Sequence, residues 1–305
     1  MKAGNTVQAG VVDWITDDIR RILAPNPSPM TGPGTNTYIL GRGTDVIVVD
    51  PGPEDPSHIA VILAALAPAE RVTAIVVTHA HKDHSAAARP LAALASAPVL
   101  AFGDAASGRS PVMARLVAGG LAGGGEGAHH AFRPDRCVAD GAVLPCAGKG
   151  LRILHTPGHM GGHICVAFGD VLLSGDHAMG WASSLISPPD GDMGAYMASL
   201  YRLMEERWRL MLPGHGDPVC DVAGRLQALA DHRRAREAEV LAALRTRPAN
   251  AATLARSIYH GTPAALLPAA QRNVLAHLID LEHRNLLACT DLPGPDTIFT
   301  PTDAG

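Results

Sequence analysis

The chain has 305 residues, enough for one large domain with a small one attached. Its hydrophobic fraction of 47% is ordinary for a globular protein, and its net charge of −4 gives no sign of a polyanionic partner. Five scattered cysteines without a CxxC pair argue against a disulfide scaffold, and no apolar run reaches the roughly 18 residues of a membrane span. Because the first residues also lack the pattern of a signal peptide, we expect a cytoplasmic protein.

Short runs rich in Val and Ile, bounded by small or polar residues, predict strands up to residue 213. The predicted strands are Thr37–Leu40, Asp45–Val49, Val72–Val77, Pro98–Phe102, Leu151–His155, Ile164–Phe168, Val171–Ser174 and Leu210–Leu212. Helical patterns lie between them at Pro56–Leu66, His84–Leu94 and Met193–Glu206. Strands and helices mixed in this order indicate an α/β layered domain.

The pattern changes after Pro218, where helical periodicity dominates. The predicted helices are Asp221–Leu244, Ala251–Tyr259 and Ala265–Glu282, and a short apolar stretch, Asn285–Cys289, follows them. Three helices and a small β element predict a winged-helix-like unit. We therefore divide the chain into a first domain of residues 1–219, a C-terminal domain of residues 220–290 and an extended tail of residues 291–305.

The segment THAHKDH at residues 78–84 directly follows the apolar run VTAIVV and contains four residues of metal-ligand type. Imidazole and carboxylate groups bind zinc well, and iron or manganese also accept them. Four such side chains so close together are not expected to face one ion. We therefore expect His79 and His81 to face one metal, and Asp83 and His84 to face a neighbouring one.

Three further candidate ligands each follow a predicted strand: His159 in LRILHTPGH, Asp176 in DVLLSGD and His215 in LMLPGHG. The carboxyl ends of strands are where α/β proteins place their sites. Any one of these residues alone would more often cap a helix or hydrogen-bond a turn. Seven residues of ligand type at the ends of four apolar runs together predict a site for two divalent metal ions. Zinc is the first expectation, with iron or manganese as alternatives.

This motif set resembles that of the metallo-β-lactamase superfamily: HxHxDH, then a later His, a later Asp and a final His, in family order. The resemblance covers roughly Arg20 to Val219 and implies an αββα sandwich, in which helices flank two mixed sheets. It also implies a division of the ligands between the two metals. The first metal would be held by His79, His81 and His159, and the second by Asp83, His84 and His215, with Asp176 bridging both.

A closer likeness lies outside the ligands, in APNPSPMTGPGTNTYILG, in SGDH at residues 174–177 and in SPPDGDM at residues 187–193. These segments and the C-terminal helices resemble the branch that includes β-lactamase-like protein 2, whose members carry a winged helix. The animal member of that branch cleaves single-stranded RNA. The resemblance therefore implies a hydrolase in which a metal-bridged hydroxide attacks an ester or a phosphodiester, with RNA as one candidate.

Further residues have candidate roles beside the metals. Asp83 is the carboxylate best placed to orient the hydroxide and accept its proton, and His177 is a candidate proton donor to the leaving group. The candidate substrate-binding residues are His163, Asn36 and Tyr196. For Asn36 a turn-shaping role, and for Tyr196 a position in the core, are the simpler alternatives. The glycine-rich stretch Ala118–Arg133 is predicted to be a mobile surface loop beside the site.

Two alternative functions stay open. A glyoxalase-II-like thioesterase would use the same metals, but the basic and Tyr residues with which such enzymes bind glutathione are not evident in residues 221–290. A nucleic-acid-binding regulator with a non-catalytic metal domain would need a basic recognition helix, and Ala265–Glu282 offers only Arg272 among its strong bases. We expect a small-molecule ester or single-stranded RNA as substrate and no membrane partner, and a dimer is an open possibility.

Overall fold

Both faces of the Val- and Ile-rich strands are buried, as expected of sheets that are covered on both sides. In β3 (Asn36–Leu40), Tyr38 and Leu40 point into a core between two sheets, while Ile39 points into a second core on the opposite face. The structure is a computed structural model that describes residues 8–123 and 127–303. Residues 1–7, 124–126 and 304–305 lie outside the described residues. They belong to the start of the predicted first domain, to the predicted loop and to the end of the predicted tail.

The first sheet contains seven strands in chain order. They are β1 (Val12–Thr16), β2 (Ile19–Leu23), β3, β4 (Asp45–Val49), β5 (Arg71–Val76), β6 (Val99–Ala101) and β7 (Arg136–Cys137). Neighbours from β1 to β4 are antiparallel, and neighbours from β4 to β7 are parallel. The carboxyl ends of the parallel strands therefore share one edge of the sheet.

The second sheet contains five strands, in the order β12-β11-β10-β9-β8. Their ranges are β8 (Val143–Cys146), β9 (Lys149–His155), β10 (Ile164–Phe168), β11 (Val171–Gly175) and β12 (Leu210–Pro213). All neighbours are antiparallel except β11 and β12, which are parallel. The inner faces of the two sheets meet in one apolar core that includes Leu40, Val76, Val166 and Leu212.

Eight helices lie outside the sheets in the described ranges. They are α1 (Pro56–Ala64), α2 (Lys82–Ser85), α3 (Ala88–Ala95), α4 (Pro111–Ala118), α5 (Met193–Met204), α6 (Val222–Thr246), α7 (Ala251–Ile258) and α8 (Leu267–His283). Side chains of Asp55, Ser110, Asp192, Asp221 and Asn250 cap α1, α4, α5, α6 and α7. Helices α1 and α3 cover the first sheet, and α5, part of α6 and α8 cover the second. The predicted αββα sandwich is confirmed.

The C-terminal region has the predicted winged-helix-like form, in which α7 and α8 pack together and precede the antiparallel pair β13 (Leu287–Ala288) and β14 (Thr300–Pro301). The predicted extended tail is wrong in one respect, because its residue Phe299 is fully buried in the C-terminal core and β14 closes the strand pair. Helix α6 contributes both to the layer on the second sheet and to the C-terminal core. The boundary proposed at residue 219 therefore falls just before a helix that the two units share.

Within residues 8–123 and 127–303, no helix combines the length and the apolar character that crossing a bilayer would require.

Candidate metal centre

The predicted ligands converge where strands of both sheets end. His79 follows β5, Asp176 follows β11 and His215 follows β12, while His159 lies in the turn between β9 and β10. Two tight turns bring the strand ends close together. The backbone at Gly214 passes so near that an added Cβ would lie 2.4 Å from Asp176 Oδ1. Glycine is needed there because any side chain would fill the space between the candidate ligands.

A first group of side chains brings four ligand-type residues within one ion's reach. It consists of His79, His81, His159 and Asp176, and their facing atoms lie within 4.8 Å of one another. His81 Nδ1 is 3.0 Å from His79 Nε2 and 3.1 Å from His159 Nε2. Two ligands of a tetrahedral zinc ion would lie about 3.3 Å apart, given zinc–nitrogen bonds of about 2.0–2.1 Å. The spacing of these atoms therefore fits an ion at their centre.

A second group lies beside the first and consists of Asp83, His84 and His215. Asp83 Oδ2 lies 3.3 Å from His215 Nε2 and 3.4 Å from His84 Nε2. Asp176 connects the groups, because its carboxylate oxygens lie 3.3 Å from His215 Nε2 and 3.8 Å from His159 Nε2. Its Oδ1 atom is buried and has no hydrogen-bond partner among the described residues. A buried oxygen without a partner costs free energy, and a cation would satisfy it.

Four of the five histidine rings are held in orientation by a hydrogen bond at one ring nitrogen, the one that points away from the groups. His84 Nδ1 lies 2.9 Å from the Asp50 carboxylate, and His159 Nδ1 lies 2.7 Å from the Leu185 carbonyl oxygen. His215 Nδ1 lies 3.2 Å from the Gly34 carbonyl oxygen. His79 Nδ1 faces Thr78 Oγ1 at 3.0 Å, and that hydroxyl already donates its proton to Asp50.

Because each of these partners accepts a hydrogen bond, Nδ1 carries a proton in all four rings, and Nε2 is the nitrogen that faces the groups and offers its lone pair whenever the ring is neutral. This is the tautomer that a metal ligand needs. The facing nitrogens lie too close together for every one of them to carry a proton, whereas a single metal ion can bind several of their lone pairs at once.

The two groups differ in charge. In the first, burial lowers the pKa of His79 well below its ordinary value and that of His81 to about 3, so these rings are neutral at pH 7. In the second, burial is the largest influence on His215 and lowers its pKa, but the charge and hydrogen bonds of the Asp176 and Asp83 carboxylates together outweigh it and raise the pKa to about 9. The clustered carboxylates thus attract positive charge to this position. A divalent cation would displace the proton from His215 and satisfy the same demand.

Asp50 is a site residue that the sequence interpretation missed. It follows β4, is buried, and accepts hydrogen bonds from the backbone nitrogen and the hydroxyl of Thr78, each at 2.7 Å. Together with its bond to His84, these contacts fix both the start of the HxHxDH segment and one ring of the second group. The signal was available, because Asp50 ends an apolar strand run before a Pro-Gly turn, the layout that drew attention to the other ligands.

Three candidates do not reach the cleft that the sequence interpretation assigned to them. His177, His163 and Tyr196 are all fully buried, and a residue without solvent access cannot contact a substrate or its leaving group. His177 packs behind Asp176 with its ring 4.7 Å from that of Tyr196. His163 instead supports the site, because its Nε2 accepts a hydrogen bond from the Asp176 backbone nitrogen at 3.2 Å. The roles of His177 as proton donor and of His163 and Tyr196 as substrate-binding residues are therefore corrected.

Asn36 is also buried, and its side-chain nitrogen donates to the carbonyl oxygens of Pro213 at 3.0 Å and Gly216 at 2.8 Å. These bonds clamp the turn that carries His215. Asn36 thus shapes a turn and does not bind substrate, which was the simpler of the two readings of this residue.

An open cleft of about 450 Å³ leads to the first group. His81 and His159 line the cleft, and so do residues on both sides of the undescribed part of the predicted loop, namely Leu121, Gly123, Gly127, Ala128 and His130. Much of the wall is apolar and consists of Val117, Leu121, Leu185 and Pro189. Two cationic side chains line the cleft, Lys82 and Arg109, and Arg109 forms an ion pair with Asp190 at 2.6 Å.

Comparisons with known proteins agree with this geometry. Residues 30–218 match the sequence model of the metallo-beta-lactamase superfamily, and residues 251–291 match that of the beta-lactamase associated winged helix domain. The chain is 30% identical to the beta-lactamase-like protein 2 homolog of Drosophila melanogaster, in an alignment covering 96% of this chain and 98% of the relative. It is also 30% identical to the atrochrysone carboxyl ACP thioesterase of Aspergillus chevalieri, over 77% of this chain and 68% of that protein.

Among solved structures, a beta-lactamase domain protein from Burkholderia ambifaria superposes with a TM-score of 0.80. The two sequences are 22% identical, and the superposition covers 98% of this chain and 96% of the other. This likeness shows a shared fold over both the sandwich and the C-terminal region.

Proposed function

The chain belongs to the metallo-β-lactamase superfamily and is a metal-dependent hydrolase, and we propose that it works with two divalent ions and cleaves a carboxylic ester or thioester. The observation that carries the two-ion proposal is the orientation of the histidine rings. Four Nδ1 atoms donate outwards, so that four Nε2 atoms face the two groups and can bind an ion once they carry no proton. We assign the first ion to His79, His81 and His159, the second to Asp83, His84 and His215, and the shared position to Asp176.

Two bound divalent ions would lower the pKa of a shared water and stabilise negative charge on the attacked oxygen. Zinc suits the nitrogen-rich donor set best, and iron or manganese are the alternatives to test. Asp83 retains 28% of its side-chain exposure, whereas His84 and His215 are almost fully buried. It is therefore the member of the second group that water and substrate can reach, and we assign to it the orientation and deprotonation of the attacking water.

The cleft favours an acyl substrate over a nucleic acid. Its apolar wall can hold an acyl chain, while its cations are Lys82 and an Arg109 that Asp190 already neutralises. A bound RNA would need several cations for its phosphates. The fungal relative whose name specifies a carboxyl-ACP thioester adds weight to the same choice. We therefore rank a thioester or ester ahead of RNA.

Three of the arginines of the C-terminal domain are engaged inside the protein, which disfavours a nucleic-acid surface there. Residues 221–290 contain nine Arg, but several of them donate hydrogen bonds inside the protein. Arg225 donates to the carbonyl oxygens of Met179 and Ala182, Arg233 to that of Ser184 and Arg272 to the Ser187 hydroxyl. The expected recognition helix, α8, is buried along most of its length against the rest of the protein. These contacts argue against the regulator hypothesis.

Metal analysis combined with a substrate panel tests the proposal. The native protein should contain about two equivalents of zinc, iron or manganese per chain. An acyl-pantetheine thioester, a nitrophenyl ester, bis-nitrophenyl phosphate and a single-stranded RNA oligonucleotide then separate the substrate classes. His79→Ala should lower turnover of the best substrate by at least about a thousandfold, since it removes a ligand. The exposed His260→Ala serves as its matched control and should keep wild-type turnover.

Two results would overturn the proposal. A metal content below half an equivalent after native purification and metal reconstitution would exclude the two-ion site. Cleavage of RNA or the phosphodiester, with no turnover of either acyl substrate, would exclude the assignment of an acyl substrate while leaving the metal site intact.

A further inference from the structure

The segment Ser184–Ile186 lies between the first group and the C-terminal helices. On one side, the Leu185 carbonyl oxygen accepts the 2.7 Å hydrogen bond from His159 Nδ1. On the other side, the Ile186 backbone nitrogen donates to Asn273 Oδ1 on α8 at 3.0 Å. The Ser184 carbonyl oxygen accepts a hydrogen bond from Arg233 on α6. The middle residue of this segment is thus hydrogen-bonded to a candidate metal ligand, and the residues on either side of it are hydrogen-bonded to the C-terminal helices.

Arg233 is buried at a cost that packing alone does not explain. Its exposed fraction is 1%, and no carboxylate pairs with its guanidinium in the part of the chain that the structure describes. Its polar contacts are the Ser184 carbonyl oxygen and Asn273 Oδ1, the latter at 3.4 Å, and its guanidinium lies 5.3 Å from the centre of the Tyr196 ring. An unpaired buried charge is unfavourable unless hydrogen bonds compensate it. The compensation here comes from the segment that orients His159.

The bond from His159 to Leu185 decides which nitrogen of this ring is free. While Nδ1 donates to the carbonyl oxygen, Nε2 keeps its lone pair and lies 3.1 Å from His81 Nδ1. If the carbonyl moved away, the ring could rotate or take the other tautomer. In metal sites, loss of such an outer hydrogen bond typically weakens metal binding about 10–100-fold.

We propose that Asn273 and Arg233 are positioning residues for the first metal, which act through the Leu185 carbonyl on His159. The C-terminal domain thereby takes part in building the metal centre, although it contributes no ligand. This inference rests on the proposed function in one respect, because it requires that the first group binds a metal. Asn273 holds Ile186, the residue after Leu185, and Arg233 holds Ser184, the residue before it, so the Leu185 carbonyl is fixed from both sides.

The test compares metal affinities of the full-length apoprotein. Zn²⁺ is titrated against a chromophoric chelator, and Co²⁺ absorption reports the coordination of each ion. For Asn273→Ala we expect one of the two dissociation constants to rise about 10–100-fold, while the other changes less than about threefold. Asn273→Asp keeps an oxygen that accepts from Ile186 and should stay within about threefold of wild type in both. Nitrogen-15 spectra of the histidines should show loss of a protonated Nδ1 in Asn273→Ala only.

A second pair of variants guards against misfolding. Arg233→Met removes the hold on Ser184 and leaves an apolar side chain of similar length, a change that buried sites often tolerate. It should weaken the same ion, whereas Arg234→Met, at the next and exposed position of α6, should bind both ions as wild type does. If Asn273→Ala does not fold, as judged by thermal unfolding, this pair decides the matter.

The outcomes separate the inference from the proposed function. A wild-type protein that binds fewer than two ions contradicts the proposed function. A wild-type protein that binds two ions, with folded variants that also bind both at wild-type affinity, overturns the positioning role. Equal weakening of both ions in the variants would show a general structural effect and would overturn it as well.

Discussion

Asp50 offers the sharpest test of how the metal centre is built, because one carboxylate serves both the backbone and a ligand. It accepts two hydrogen bonds of 2.7 Å from Thr78 and lies 2.9 Å from His84 Nδ1, all in a buried setting. Each hydrogen bond to a charged group contributes about 1.5–3 kcal/mol, so the loss of all three in Asp50→Ala should cost roughly 4.5–9 kcal/mol of stability. A typical domain has only about 5–15 kcal/mol in total, so this variant is expected to unfold at or near room temperature.

Asp50→Asn separates stability from metal binding. The amide oxygen can still accept from the Thr78 backbone nitrogen, so the loss of stability should stay near 1–3 kcal/mol. The amide nitrogen, however, donates hydrogen bonds and cannot accept one from His84. If it faces Nδ1, the ring proton moves to Nε2, the nitrogen that points at the second group. We therefore expect the affinity for the second ion to fall about 10–100-fold.

The assay is a zinc titration of the folded apoprotein against a competing chelator, with thermal unfolding measured in parallel. Asp45→Asn is the matched control, because Asp45 begins the same strand, is half-exposed and forms only a long ion pair of 3.9 Å with Arg71. It should change neither quantity appreciably. An Asp50→Asn protein that binds both ions with wild-type affinity would refute the argument about the ring tautomer.

Three further predictions follow from buried positions. Gly158→Ala should cost about 2–6 kcal/mol of stability in thermal or urea unfolding and should also weaken metal binding by His159. The reason is that residue 158 has a φ of +146° and its new Cβ would lie 2.3 Å from Tyr196 Cα. A variant with wild-type stability would contradict this. Tyr196→Phe should keep kcat/KM and lose no stability, because the hydroxyl is buried without a partner; a raised KM would restore Tyr196 as a substrate residue. Burial lowers the pKa of His277 from 6.5 to about 3, so the unfolded chain binds a proton first and stability falls as pH drops below 6.5. His277→Met should reduce that slope by about 1.4 kcal/mol per pH unit in urea unfolding between pH 6 and 4, and an unchanged slope would contradict the assignment.

The two groups of candidate ligands could be predicted from the sequence because their chemistry is local. A cluster such as His79-Ala-His81 after an apolar run shows both the residue types and the strand end, and β4 and β10 were predicted with their observed bounds. The strands β1 and β2 were not predicted. In β2 the charged pair Arg20 and Arg21 hides an element whose residues are all buried. Arg20 is accommodated through its ion pair with Glu70 at 2.7 Å and a hydrogen bond to the Ala65 carbonyl oxygen at 2.8 Å.

The supporting contacts of the site could not be predicted for a different reason. A residue that follows a strand end lies near the site edge, but the sequence does not say whether its side chain faces the cleft or the core. His177 and His163 were placed at the cleft on proximity alone, and tertiary packing buries both. Likewise, an arginine is expected at the surface from its charge alone, but Arg233 is inside the protein. The predicted helix His84–Leu94 is in fact divided into α2 and α3.

Helix α6 determines how the molecule can come apart. It has 25 residues and is about 37 Å long, and Leu226 and Leu229 cover the second sheet while Val240 and Leu244 fill the C-terminal core. A chain cut at Pro218 would expose part of the outer face of the second sheet to water, because of its helical cover only α5 would remain. The sandwich and the winged helix are therefore expected to melt in one cooperative transition, as a single folding unit despite their separate hydrophobic cores.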